Sequence, residues 1–306
     1  MRRSRIGLAL GSGSARGWSH IGVLEALQEA GIRPDVVCGA SIGALVGAAY
    51  VADRLQALKD FAESVTWREI VSLLDVRVTG GGLISGKQIV ELLRRLKIDA
   101  AIDSYATPYA AIATDLESGR EVWLREGPIE DAVRASISLP GIFSPVRNAD
   151  RWLVDGGLVN PVPVSTCRAL GADIVLAVNL NGDLVGRFDS GTTKRTSFAS
   201  ISASPEFVRK LLGQIPPGIR EQASAIAPKL LRSAPASPGY FDVLTNAINV
   251  MQDQITRARL AGEPPHVMLV PRLRDIGLLE FNRATEAIAE GRACVEQALP
   301  ALRRYI

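Results

Sequence analysis

The chain is poor in histidine. Its 306 residues hold two, His20 and His266, and neither stands beside a candidate nucleophile in the sequence, so an imidazole base is not the default for its chemistry. Cysteine is nearly as scarce. Cys38, Cys167 and Cys294 are odd in number and lack metal-ligand spacing, which excludes a disulfide framework and reads as reduced thiols in a cytoplasmic compartment. The basic start, Met1 to Arg5, is followed by an apolar run, Ile6 to Leu10, that breaks into glycines too early for a signal-peptide core or a membrane span. Aromatic residues are few where positive charge collects: residues 187–232 carry eight Lys or Arg against three Asp or Glu, with only Phe188, Phe198 and Phe207 among them. That argues against a nucleic-acid surface. It leaves two readings for the segment, an element resting on anionic membrane headgroups or a solvated linker.

What is present is a large apolar fraction, 47%, enough for a substantial core. Runs of strand length recur at Ile6 to Leu10, Asp35 to Cys38, Ala110 to Ala113, Glu121 to Leu124, Trp152 to Val154, Ile174 to Asn179 and Val267 to Val270. Several are continuous rather than alternating, as strands buried on both faces require. Helical patterns lie between them at Trp18 to Ala30, Ile42 to Ala52, Gly86 to Leu96, Pro128 to Ala135 and Val164 to Leu170. The alternation predicts α/β layering. The expected organisation is one domain over residues 1–306: a core at 5–180, a basic mobile insertion or lid at 183–239, and a helix-strand-helix completion at 240–306. Its helices are expected at Phe241 to Leu260 and Leu279 to Arg304, the second interrupted near Pro300.

Two glycine-rich turns carry the chemistry. Gly39-Ala40-Ser41-Ile42-Gly43 follows a strand and opens a helix, the context in which a Gly-x-Ser-x-Gly elbow exposes a serine hydroxyl above a helix N-terminus. Gly11 to Gly17 links the first strand to the first helix, so its main-chain N–H groups can face an anion, either a phosphate or a transition-state oxygen. Arg16 stands where a dinucleotide fingerprint needs its third glycine, and no acidic residue ends the second strand. A second decoy, Gly81 to Gln88, resembles a phosphate loop until Gln88 replaces the Ser or Thr that would hold magnesium, so Gly86 and Lys87 read as a helix start. For a base, Asp155 in Leu153-Val154-Asp155-Gly156-Gly157 ends an apolar strand, with glycines giving close access; alone, Asp-Gly also suits a turn. A partly apolar site would raise its pKa and let it accept the serine proton.

These blocks, taken in order, resemble the patatin-like phospholipase family, short bacterial cytosolic type. The resemblance covers most of residues 5–180. Besides the loop ending Ala15-Arg16-Gly17, the Ser41 elbow and Asp155-Gly156-Gly157, it includes Ala113-Thr114-Asp115-Leu116 and the block from Ala135 to Pro145. It implies a three-layer α/β fold with a mostly parallel central sheet and helices on both faces. It also implies hydrolysis of fatty-acyl esters of phospholipids or lysophospholipids through a Ser-Asp dyad and an acyl-enzyme, without metal or other cofactor. Carried over by position, Ser41 is the nucleophile and Asp155 the base. Gly39 and Gly43 shape the elbow, the N–H groups of Gly13 and Ser14 form an oxyanion hole, and Arg16 shapes that loop. The family loop usually has three consecutive glycines where this chain has Ser12-Gly13-Ser14, a change main-chain donors tolerate. The implied partner is a lipid or lysolipid, with possible peripheral contact to an anionic membrane. Two alternatives remain at the sequence level: an α/β-hydrolase triad of Ser41, Asp155 and His266, and a non-catalytic lipid or anion sensor in which Ser41 merely caps its helix.

Overall fold

The computed structural model describes residues 3–66, 86–183 and 240–305. Most of the basic segment and the first part of the phosphate-loop decoy lie outside these residues. Eight strands form one sheet: β1 Ile6–Leu10, β2 Val36–Ala40, β3 Tyr109–Asp115, β4 Glu121–Leu124, β5 Val146–Asn148, β6 Arg151–Asp155, β7 Ile174–Val178 and β8 Val267–Leu269. β8, β7, β1, β2 and β3 run parallel in that spatial order. β4 and β6 join β3 antiparallel, and β5 pairs with β6. Among the described residues the α-helices are α1 Ser19–Glu29, α2 Ile42–Val51, α3 Leu55–Ser64, α4 Lys87–Arg95, α5 Ile129–Ser136, α6 Val164–Ala169, α7 Tyr240–Gly262 and α8 Ala284–Leu302.

The continuous apolar runs are buried on both faces, and period-two alternation within them sorts side chains by size. Leu8, Leu10, Val37, Leu176 and Val178 enter the larger core together with residues of α1, α2, α3, α4, α5 and α8. Ala9, Cys38, Ala110 and Ala177 face the other way, against Val164 and Cys167 of α6 and Leu260 of α7. Small side chains there let a thinner helical layer approach closely. The result is three layers with the sheet between helices, as the alternating pattern predicted.

Some expectations need correction. β2 runs two residues further than the Asp35 to Cys38 run, to Ala40, because Gly39 and Ala40 stay in register with Ala111 and Ile112. The last helix begins at Ala284, not Leu279, since Leu278 O accepts the N–H of Ala15 at 3.0 Å and that stretch serves as a wall. Pro300 lies within the last turn of α8, and the helix continues past it to Leu302. α3 and β5 were not among the expected elements. Gly86 and Lys87 do start a helix: Gly86 takes a left-handed conformation (φ 70°) before α4.

The topology at β3 decides where the site forms. Ala111 and Ile112 pair with β2 on one side and β4 on the other, and Ala113 and Thr114 pair with β6 and with β4. Each edge of a strand has one partner at a given position, so β4 occupies one edge while β2 and β6 share the opposite edge. They meet there end to end. Ala40 is opposite Ile112 and Asp155 is opposite Ala113, the next residue.

Candidate active site

Ser41 leaves β2 in a strained conformation, φ 56° and ψ −123°, and α2 starts at once. A non-glycine residue at positive φ is uncommon and is held there by its surroundings. The flanking glycines permit the turn by close approach. A Cβ on Gly39 would run into the carbonyl of Gly43, and one on Gly43 into the carbonyl of Leu10. The side chain makes no capping bond to α2. Instead its Oγ donates to Asp155 Oδ2 at 2.6 Å, which does not fit the cap role of the sensor reading. The Ser41 amide donates to Ser136 Oγ at 2.9 Å, and that hydroxyl donates to Ile112 O at 2.5 Å.

Asp155 is almost fully buried, 1% exposed. Its Oδ1 accepts the Gly157 N–H at 2.7 Å, and its main-chain carbonyl accepts from Thr114 Oγ1 at 2.8 Å. Burial pushes its carboxyl up to about 6 from the ordinary 3.8, against the opposing pull of hydrogen bonds from Ser41 and Gly157. Desolvation disfavours the charged form more than two hydrogen bonds restore it.

The loop after β1 passes over the same spot. Gly11 N and Ser12 N are engaged by Val178 O and Pro161 O, and Ala15 N by Leu278 O. Gly13 N and Ser14 N, between them, have no acceptor among the described residues. Arg16, 2% exposed, donates its Nε to Gly13 O at 3.2 Å. In a trans peptide the carbonyl and the following N–H point in opposite directions, so anchoring Gly13 O on the Arg16 side turns the Ser14 N–H away from it. Ser14 itself sits at φ 53°, a left-handed conformation that the usual glycine would adopt freely.

One cavity holds Ser41, Asp155, Gly13 and Ser14 at its polar end. Its remaining walls are largely apolar, with Leu45, Phe61, Leu92, Ile137, Phe143 and Phe281 among them. Arg134 braces the Ile137 to Phe143 wall: its guanidinium donates to Ser138 Oγ at 2.6 Å and to Ser144 O at 2.8 Å, and it lies over the Phe143 ring. Trp18 Nε1 donates to Phe281 O at 3.1 Å, tying the C-terminal segment to the loop.

Neither histidine reaches this chemistry. His20 is fully buried with Nε2 2.8 Å from Gly11 O, and burial lowers its pKa to about 4, so it is neutral. His266 accepts the Val175 N–H on Nδ1 at 3.0 Å and meets Tyr305 edge-on. It precedes β8, at the end of the parallel sheet opposite the Ser41 turn. The Ser41, Asp155, His266 triad is therefore not assembled in this fold.

Sequence reading missed the contribution of the C-terminal third. Ile248, Asn249 and Gln252 of α7 and Leu278, Leu279 and Phe281 also line the cavity. The spacing of Ile248, Asn249 and Gln252 marks a common helix face, but no sequence signal says that this face meets the loop after β1.

The Patatin-like phospholipase family profile matches residues 8–168, which include the loop, the elbow and the Asp155 strand end. The chain belongs to the patatin-like phospholipase family. Members of this family are lipid hydrolases. An uncharacterised NTE-family protein of Mycobacterium tuberculosis is 34% identical over 97% of this chain and 92% of its own length. Human patatin-like phospholipase domain-containing protein 6 is 34% identical over 57% of this chain and 13% of its own length. Among solved structures, VipD from Legionella pneumophila aligns with a TM-score of 0.48 at 14% identity, covering 99% of this chain and 67% of that one. The patatin-like assignment agrees with the observed three-layer architecture. Among the described residues no helix is long and apolar enough to cross a membrane, and no cluster of His, Cys, Asp and Glu could hold a metal ion.

Proposed function

We propose that this chain is a serine acyl hydrolase that cleaves fatty-acyl esters of phospholipids or lysophospholipids through a Ser41–Asp155 dyad. The observation that carries this reading is the 2.6 Å hydrogen bond from a strained elbow serine to a buried carboxylate, at the polar end of an apolar cavity. Ser41 Oγ attacks the ester carbonyl carbon while Asp155 accepts its proton. The Gly13 and Ser14 N–H groups receive the developing oxyanion. Collapse of the adduct expels the alcohol, which takes the proton from Asp155, and leaves an acyl-serine. Water, deprotonated by Asp155, then releases the fatty acid and regenerates Ser41.

A carboxylate at its ordinary pKa is a weak base, and the raised value brings Asp155 nearer to the working pH while keeping it largely ionised there. The apolar walls suit an acyl chain and exclude water from the oxyanion. Cytoplasmic location, with the basic segment at 187–232 touching anionic membrane, completes the proposal. Incubation with a fluorophosphonate probe tests it: labelling should map to Ser41 and vanish in Ser41→Ala. A folded wild type that stays unlabelled and turns over no lipid ester would sink it.

A further inference from the structure

Two carboxamides on α7 face the polar end of the cavity in an unusual state: their oxygens are engaged and their nitrogens are not. Gln252, 5% exposed, accepts from Ser12 Oγ at 3.1 Å and from Asn181 Nδ2 at 3.2 Å, both on Oε1. Asn249 Oδ1 accepts from Arg16 Nη2 at 3.1 Å. Among the described residues neither Gln252 Nε2 nor Asn249 Nδ2 has a hydrogen-bond partner, although both residues line the cavity. The residues are three apart in one helix, so they share a face.

The place of Gln252 depends on Gly157. The point a Cβ would occupy there lies 2.5 Å from Gln252 Nε2 and 3.0 Å from both Asp155 Oδ1 and Ser12 Cβ. Gln252 thus fills the space between the loop and the carboxylate, and a larger residue at 157 would displace it. Having the N–H₂ rather than the oxygen on the Asp155 side is also the electrostatically favoured orientation, because a carboxylate attracts a donor and repels a carbonyl.

An engaged acceptor beside an open donor is a recognition element for oxygen in a ligand. The oxyanion already has the main-chain N–H groups of Gly13 and Ser14, and the acyl chain has the apolar walls. The part of an ester without a partner is its alcohol half. Among the described residues Asp155 is the only charged side chain lining the cavity, so a phosphate placed at that end would face a carboxylate. Uncharged oxygens fit this site better.

We infer that Asn249 and Gln252 form a donor pair that binds uncharged glycerol oxygens of the alcohol half of the ester, leaving any charged headgroup outside the cavity. The inference rests on the acyl-hydrolase reading and adds to it a preference for glycerol esters over esters of alcohols that carry no oxygen besides the ester's own.

The test uses the 306-residue chain and three substrates with the same acyl chain: a monoacylglycerol, a lysophosphatidylcholine and a 2-naphthyl ester, whose alcohol half has no oxygen beyond the ester's own. Gln252→Met removes the donor with little change in length, and Asn249→Asp keeps an acceptor for Arg16 while removing the amide N–H₂. In each variant, kcat/KM for the monoacylglycerol divided by that for the 2-naphthyl ester should fall about tenfold, the worth of one good hydrogen bond. The lysophosphatidylcholine should follow the monoacylglycerol. Proportional loss on all three substrates would make the pair merely structural, and loss confined to the lysophospholipid would assign it to phosphate; either overturns the inference alone. An unchanged ratio in both variants also overturns it. A wild type inert towards every ester and unlabelled at Ser41 overturns the hydrolase reading and this inference with it.

Discussion

The hydroxyl of Ser136 stands between the Ser41 amide and the Ile112 carbonyl, 2.9 Å from one and 2.5 Å from the other. A parallel ladder would continue directly from β2 to β3 at this point, but the elbow lifts Ser41 out of it. Ser136, the last residue of α5, supplies the missing link. It therefore acts as a positioning residue for the proposed nucleophile. Ser136→Ala leaves a buried donor and a buried acceptor unpaired, at a cost of about 1–3 kcal/mol in stability. We expect a lower melting temperature and an acylation rate reduced about tenfold, with Ser136→Thr recovering part of both. Full activity in Ser136→Ala would show that the elbow holds itself without this bridge.

The pH profile follows from Asp155. A base must be ionised to accept a proton, and this carboxyl titrates at about 6 in the fold. kcat/KM should be flat at higher pH and fall about tenfold per unit as pH drops below about 6. His20, neutral and buried, and His266, beyond reach, add no further limb. His266→Asn should keep the profile; its loss, with Ser41 still accessible to the probe, would restore an imidazole to the mechanism.

The same burial bears on stability. The folded state raises the carboxyl above its unfolded value, so it favours the protonated form. Stability linked to Asp155 is fully present below about pH 4 and is lost as pH rises through about 6. At pH 8 the ionised group costs about 3 kcal/mol. Asp155→Asn should therefore abolish ester turnover while melting a few degrees higher than wild type at pH 8, with the gain shrinking towards pH 4. Thermal unfolding at both pH values decides; a variant less stable at pH 8 would mean that the hydrogen bonds to Ser41 and Gly157 outweigh desolvation.

Arg16 gives a fourth prediction. Its guanidinium anchors Gly13 O and Asn249 Oδ1 together, linking the loop to α7. Arg16→Leu should release the Gly13–Ser14 peptide and reduce kcat by about a hundredfold, the effect of losing one oxyanion donor. Arg16→Lys should recover little, since an ammonium lacks the fork that spans both oxygens. Fluorophosphonate labelling kinetics measure this without lipid-aggregation effects.

The layered class was legible because strands buried on both faces must be continuously apolar, and Ile6 to Leu10 and Ile174 to Val178 are. The elbow was legible because its turn needs glycine at 39 and 43 for close backbone approach, a local requirement. The order of the loop, the elbow and Asp155-Gly156-Gly157 marked the family. Element ends were less legible: β2 was expected to stop at Cys38, yet Gly39 and Ala40 continue through pairing with β3, which no local pattern announces. The start of α8 moved to Ala284 because Leu278 is held by Ala15, 263 positions away in the chain numbering. Leu278, Asn249 and Gln252 carry no motif of their own.

By itself, then, the sequence determined what short-range sterics and side-chain periodicity control: alternating strands and helices, a strained serine turn, and an aspartate at a strand end with glycines behind it. The tertiary structure decided the meeting of Ser41 with Asp155 and the α7 wall beside them. Ser41 and Asp155 are 114 residues apart and approach only because β2 and β6 share one edge of β3 and abut at Ile112 and Ala113. Which strands share an edge depends on the packing of the whole sheet, and that information is carried by no single stretch of the chain.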